Sequence, residues 1–169
     1  YKQNAYVYAP KDDPKHNAEW RSLYSDEEIE KIATLAKAGN DSKCRFVYAL
    51  HPFMNNPISF GSSYQSDLEV LKAKYLQVID AGCRQIMLSA DDARDPGSGN
   101  YIKLLNDLTN WLHELQAMEN EDSTPKYPGL KDTIPFVAAN YAQAGEYWYN
   151  QLPANVKPIM TGTRVWGKA

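Results

Sequence analysis

Two adjacent carboxylates, Asp91 and Asp92, follow the short apolar run Gln85-Ile86-Met87-Leu88 and open a loop from Ala93 to Asn100. Neighbouring acids at the end of a strand suggest acid/base chemistry. Within a strand, successive side chains point to opposite faces, so two adjacent carboxylates reach one ligand only where the strand gives out and the backbone turns. Like charges this close resist joint ionisation, so one carboxyl is expected to keep its proton near neutral pH and to be able to pass it to a leaving group. The plainer alternative is a solvated loop start. Further chemistry-bearing residues fall at or after the other strand-like runs: Lys11 with Asp12 and Asp13, then His51, Asn140 with Tyr141, and Thr161. A lysine, acids, an amide, a phenol and a hydroxyl are donors and acceptors suited to a polyhydroxylated, uncharged ligand.

The elements that must position these groups alternate. Asn4 to Ala9 reads as a strand stopped by Pro10. Ser25-Asp26-Glu27-Glu28 has the form of a capping box, and Ile29, Ile32, Ala33, Leu35 and Ala36 give a helical apolar face that Gly39-Asn40 ends. Phe46 to Leu50 is a continuously apolar second strand, as expected for burial on both faces of a parallel sheet. Ser66-Asp67-Leu68-Glu69 reads as a second capping box opening a helix that stops at Ala81-Gly82, and Arg84 to Ser89 is the third strand. Tyr101 to Met118 is an amphipathic helix and Glu119 to Asp132 an exposed connection. Ile134 to Ala139, a short helix at Glu146 to Gln151, and Lys157 to Thr161 complete the pattern. The class is α/β, a parallel (β/α) barrel type in which the site lies at the C-terminal strand ends, incomplete at about five βα units of eight. An open flavodoxin-like sheet is the structural alternative, weakened because Gly97-Ser98-Gly99 follows acids and would repel a phosphate.

Composition narrows the function classes. The 169 residues are 43% hydrophobic and read as a single domain, while a net charge of -3 without a Lys/Arg run favours neither nucleic acid nor an anionic membrane surface. No apolar stretch approaches the roughly 20 residues of a membrane helix, so no membrane insertion is expected. Cys44 and Cys83 lack zinc-type spacing, with each other or with His16, His51 and His113, so no metal is expected. A disulfide between them stays open, with buried free thiols the favoured reading. His16 and His51 read as structural or surface residues, Asp12 and Asp13 as turn acids, and Trp20, Trp111, Trp148 and Trp166 as packing residues first. The start at Tyr1, three residues before a strand, suggests a piece of a longer protein.

The stretch Tyr8-Ala9-Pro10-Lys11-Asp12-Asp13-Pro14-Lys15-His16, followed by Trp20-Arg21, resembles the second-strand signature of glycoside hydrolase family 84. That family holds β-N-acetylglucosaminidases, among them O-GlcNAcases and secreted bacterial enzymes labelled hyaluronidases. Asp91-Asp92 stands where the family's catalytic pair would be, with Asn140-Tyr141 and Thr161-Gly162 at matching later positions. The resemblance implies substrate-assisted retention, in which the substrate's 2-acetamido oxygen forms an oxazoline, with Asp91 holding the acetamido N–H and Asp92 acting as acid and then base. It implies Lys11, Asn140, Tyr141 and Thr161 as substrate-binding residues, with Lys11 on sugar hydroxyls and Tyr141 near the acetamido group. It further implies no cofactor, a GlcNAc-containing glycan or glycoprotein as substrate, and a secreted or cell-surface parent. The first strand and the last two of the family's barrel have no counterpart, so the open edges call for missing barrel segments or a homo-oligomer to cover them.

Overall fold

A computed structural model of the chain describes residues 3–142 and 147–161. Five strands, β1 (Ala5–Tyr8), β2 (Arg45–Leu50), β3 (Ile86–Ser89), β4 (Ile134–Val137) and β5 (Val156–Pro158), pair in parallel and lie side by side in chain order. A flavodoxin-like sheet places strands out of sequence at a switch point, whereas unbroken parallel order is that of a barrel wall. The strand order therefore rules out the open-sheet alternative. Helices α1 (Asp26–Ser42), α2 (Tyr64–Asp80) and α3 (Ser98–Gln116) occupy the first three crossovers, and 3-10 turns stand at Pro14–His16 and Tyr147–Gln151. The second turn takes the place of the expected short helix. β5 ends at Pro158, so Thr161 lies beyond the strand that was expected to contain it.

Side-chain alternation gives the sheet two different faces. On the outer face Phe46, Tyr48, Leu50, Ile86, Leu88 and Phe136 join the helices in one large buried cluster. On the inner face Val47, Ala49 and Met87 form a small second cluster flanked by Ala9 and Val137. Burial of both parities explains the unbroken apolar run of β2. Trp20 and Trp111 sit in the outer cluster and Trp148 packs against it, while Trp166 lies outside the described residues.

Local chemistry sets the helix ends. At α1 the Ser25 hydroxyl accepts from Glu28 N and Glu28 accepts from Ser25 N, the reciprocal box read from the sequence. The helix runs on past Gly39 to Ser42 and stops at Lys43, whose φ of 58° is left-handed. Gly39 instead lets the chain return closely, since a Cβ there would stand 2.7 Å from Cys44 O. The expected box at Ser66 does not form. α2 starts three residues earlier, with Ser63 at its N-cap, because Asp67 N bonds to Ser63 O and the Asp67 carboxylate is taken by Arg21 Nε (2.9 Å), Arg21 Nη2 (2.7 Å) and Ser59 N (2.8 Å). α3 likewise starts at Ser98, three residues before the expected Tyr101, after Gly97 with its φ of 92°. The connection after α3 is not wholly exposed, because Tyr127 and Leu130 are buried. Both cysteines are free thiols, with Cys83 buried and its thiol donating to Gln85 O.

Candidate active site

Lys11 follows β1, His51 follows β2 and Asp91 follows β3. Because β2 lies between the other two strands, a contact from Lys11 to Asp91 must bridge its end. It does so: Lys11 Nζ lies 2.7 Å from Asp91 Oδ2. The chain beneath is tucked in, with the His51 ring fully buried and its Nε2 2.7 Å from the Asp91 main-chain oxygen. Asp91 Oδ1 stands 3.8 Å from His51 Nε2, too far for a hydrogen bond. Lys11 is half exposed, at 54%, and Asp91 less so, at 25%.

Burial acts to raise the Asp91 pKa, but the hydrogen bond and charge of Lys11, aided by His51, outweigh it and hold the carboxyl below its ordinary value. Asp91 is thus ionised near neutral pH. Asp92 is exposed, with a left-handed φ of 59°, a conformation that costs a non-glycine residue energy and that clusters at functional sites. This turn is how adjacent acids escape the strict alternation of a strand. Asp92 Oδ1 accepts from Tyr141 OH at 2.9 Å, and that hydrogen bond raises the phenol's pKa.

A cavity of about 310 Å³ opens between these groups, lined by Ala9, Lys11, Met87, Ser89, Asp91, Val137, Tyr141, Ile159 and Thr161. Its apolar floor is Met87 of the small inner-face cluster with the flanking Ala9 and Val137, and its charged groups stand at the strand ends. The volume lies at the lower end of small-ligand sites. A larger cavity, about 500 Å³, lies near Gly39, Lys43, Arg45 and Arg84 at the opposite strand ends. Arg84 there is spent on the carbonyls of Ile79, Cys83 and Pro128, closing off a helix end rather than receiving a ligand.

Of the residues expected at the site, Lys11, Asp91, Tyr141 and Thr161 meet on the cavity wall, and Asp92 is joined to them through Tyr141. Thr161 N donates to Tyr141 O, and its buried hydroxyl has no hydrogen-bond partner among the described residues. Asn140 is turned to the loop, where its amide donates to Asp95 Oδ2 at 2.9 Å. Asp13 caps the 3-10 turn by accepting from Lys15 N and takes a second bond from Tyr24 OH, as a turn acid should. His16 is buried and bonded to Ala49 O. Asp95, which also accepts from Gly97 N, and the contact of His51 with Asp91 were not foreseen. An acid two residues before a glycine is the local signal for the first, while the second depends on strand pairing alone. Among the described residues no His, Cys, Asp and Glu side chains cluster as a metal site, and no helix is long and apolar enough to cross a membrane.

The family model for beta-N-acetylglucosaminidase matches residues 1–169. The O-GlcNAcases of Rattus norvegicus and Mus musculus are each 43% identical over 89 residues, 53% of this chain and 9% of the relative. The solved structure of CpGH84D superposes with a TM-score of 0.83 at 29% identity, covering 98% of this chain and 27% of the other. A mutant of the Thermobaculum terrenum O-GlcNAc hydrolase shares the fold, with a TM-score of 0.77 at 22% identity over 96% of this chain and 35% of its own. The match therefore spans about a tenth of the length of the curated relatives and about a quarter to a third of these solved chains.

Proposed function

Because the chain belongs to the beta-N-acetylglucosaminidase family, we propose that its strand ends carry the acid/base half of a site that hydrolyses terminal β-linked GlcNAc on a glycan or glycoprotein by substrate-assisted retention. The observation that carries this reading is the Asp91 carboxylate, with one oxygen fixed by Lys11 and the other 3.8 Å from His51, beyond its reach. An ionised carboxylate with an oxygen that neither neighbour occupies can accept the N–H of the substrate's acetamido group. That contact orients the acetamido oxygen and makes it more nucleophilic toward the anomeric carbon.

As the acetamido oxygen bonds to C1, the C1–O bond breaks and Asp92 gives its proton to the departing oxygen. The products of this step are a free alcohol and an oxazoline ring whose nitrogen keeps its hydrogen, an oxazolinium ion held by the Asp91 carboxylate. Asp92, now a carboxylate, takes a proton from water as that water opens the oxazoline at C1, and two inversions leave the configuration retained. Tyr141 OH donates to the carboxylate form of Asp92. When Asp92 carries the proton, the phenol is free to turn toward the acetamido group. Lys11 has three donor hydrogens and spends one on Asp91, leaving two for sugar hydroxyls. Thr161 lines the wall, and Asn140 acts through the loop that it ties to Asp95. The chain forms one domain, part of a (β/α)8 catalytic barrel whose open β1 and β5 edges are covered by further barrel segments or by a second copy.

A fluorogenic β-GlcNAc substrate tests the reading. Asp92→Asn should lower turnover by about 10²- to 10⁴-fold, most for poor leaving groups, because general-acid assistance matters most there. Asp91→Asn should slow good and poor leaving groups alike. Undiminished turnover in Asp92→Asn would overturn the assignment. Binding of GlcNAc without turnover in the wild type would favour a carbohydrate-binding or scaffold role for the same barrel.

A further inference from the structure

We propose that His51 is a positioning residue for Asp91, clamping the main chain at the end of β3 through Nε2 so that the carboxylate meets Lys11 above β2. The inference rests on the proposed role of Asp91 and goes beyond it. A main-chain carbonyl only accepts, so the 2.7 Å contact to Asp91 O requires a hydrogen on Nε2. The ring cannot drift from this position. It is fully buried, its edge meets His16 and Phe53 with centroids 6.4 Å away in each case, and His51 N donates to His16 O at 2.9 Å. His16 is itself held by Ala49 O at 2.9 Å. A chain of fixed contacts thus runs from the turn after β1, through the end of β2, to the acid after β3.

An apolar residue would fill this buried place at less desolvation cost than an imidazole whose Nδ1 has no hydrogen-bond partner among the described residues. The polar ring is explained by what it holds. Without the clamp, the main chain at Asp91 would be held by the neighbouring bond of Ala90 N to Val137 O, and its carboxylate by a half-exposed lysine. The titratable and charged groups around Asp91 are Lys11 from the turn after β1, His51 from the end of β2, its neighbour Asp92, and Tyr141 from the loop after β4.

Three substitutions separate positioning from packing. His51→Phe keeps a ring in the aromatic surround and removes the donor, His51→Gln supplies an amide donor near the Nε2 position, and His51→Asn carries an amide too short to reach. We expect kcat to fall about tenfold in the Phe and Asn variants with KM little changed, and to recover most of that loss in the Gln variant. A 13C NMR titration of the Asp91 carboxyl should show its midpoint moving up in the Phe and Asn variants and back down in the Gln variant. If His51→Phe does not fold, the Asn and Gln pair reads the same contrast. A wild-type midpoint and wild-type kcat in the Phe or Asn variant would overturn the proposal, as would a Gln variant that falls as far as the other two. The titration needs no turnover, so an inactive wild type would count against the proposed reaction, and the midpoints would still decide the role of His51.

Discussion

Two ion pairs share a contact distance of 2.7 Å and little else: Arg21 with Asp67, and Lys11 with Asp91. Asp67 receives two guanidinium donors and the Ser59 N–H, and Arg21 further donates to the carbonyls of Asn56 and Pro57 while its guanidinium stacks 4.2 Å from the Trp20 ring. Every part of that pair is spent on holding the loop after β2 against α2. Asp91 takes one ammonium hydrogen on one oxygen, beside a cavity. A saturated pair fixes the fold, whereas a pair with acceptor capacity facing a cavity can exchange a protein contact for a substrate contact.

Breaking the saturated pair should have the largest effect. Arg21→Met leaves the Asp67 carboxylate, only 11% exposed, without its counter-charge, and should cost about 3 kcal/mol of stability in urea unfolding. Turnover per folded molecule should not change. The sign of the pH dependence follows from Asp67, whose pKa is lowered chiefly by the Arg21 hydrogen bond against the opposing effect of burial. Its contribution is fully present above the unfolded carboxyl value of about 3.9 and is lost as pH falls through the lower folded value. The wild type should therefore lose stability over that acid window, and Arg21→Met should lose less of it.

Lys11→Met should show the opposite profile. Stability should change by no more than about 1 kcal/mol, because Lys11 is half exposed. The kcat/KM should fall by roughly 100-fold, as expected for removing one fixed electrostatic partner at a reacting site. Removing Lys11 also removes what holds the Asp91 pKa down, so the acid limb of kcat/KM should move to higher pH. A large stability loss with unchanged kinetics would place this pair in the structural class with Arg21 and Asp67.

How much of this contrast was legible in the sequence depends on how far apart its parts lie. Local patterns were readable: the unbroken apolar character of Phe46 to Leu50 marked a strand buried on both faces, and Ser25 with Glu28 marked the start of α1. That cap supplies the third prediction, a loss of about 1 kcal/mol for Ser25→Ala in thermal unfolding. The same pattern at Ser66 misled because Asp67 is drawn to Arg21, 46 residues away, and a tertiary contact of that strength overrides a local capping preference. The candidate residues Lys11, Asp91 and Tyr141 came from placing groups after strands, and Thr161 from placing one at the end of the fifth, a placement the barrel order turns into proximity. The bond from Asn140 to Asp95 and the clamp from His51 could not be read that way. They depend on side-chain direction within loops, which no periodicity encodes.

The smallest effect is also the control on the whole comparison. Lys31 and Glu27 sit one helical turn apart on α1 at 2.8 Å, nearly the same distance as the other two pairs, but their side chains are 70% and 81% exposed. The hydrogen bond between them lowers the Glu27 pKa and raises that of Lys31, so on direction alone the pair would be counted as stabilising at neutral pH. Water competes for both groups, salt screens them, and two long side chains lose rotamer freedom to meet. Lys31→Ala should therefore leave the unfolding midpoint unchanged at 0.15 M salt, with alanine's helix propensity offsetting whatever the pair contributed. A loss comparable to that of Arg21→Met would mean that contact distance, rather than burial and saturation of the carboxylate, decides what an ion pair does in this fold.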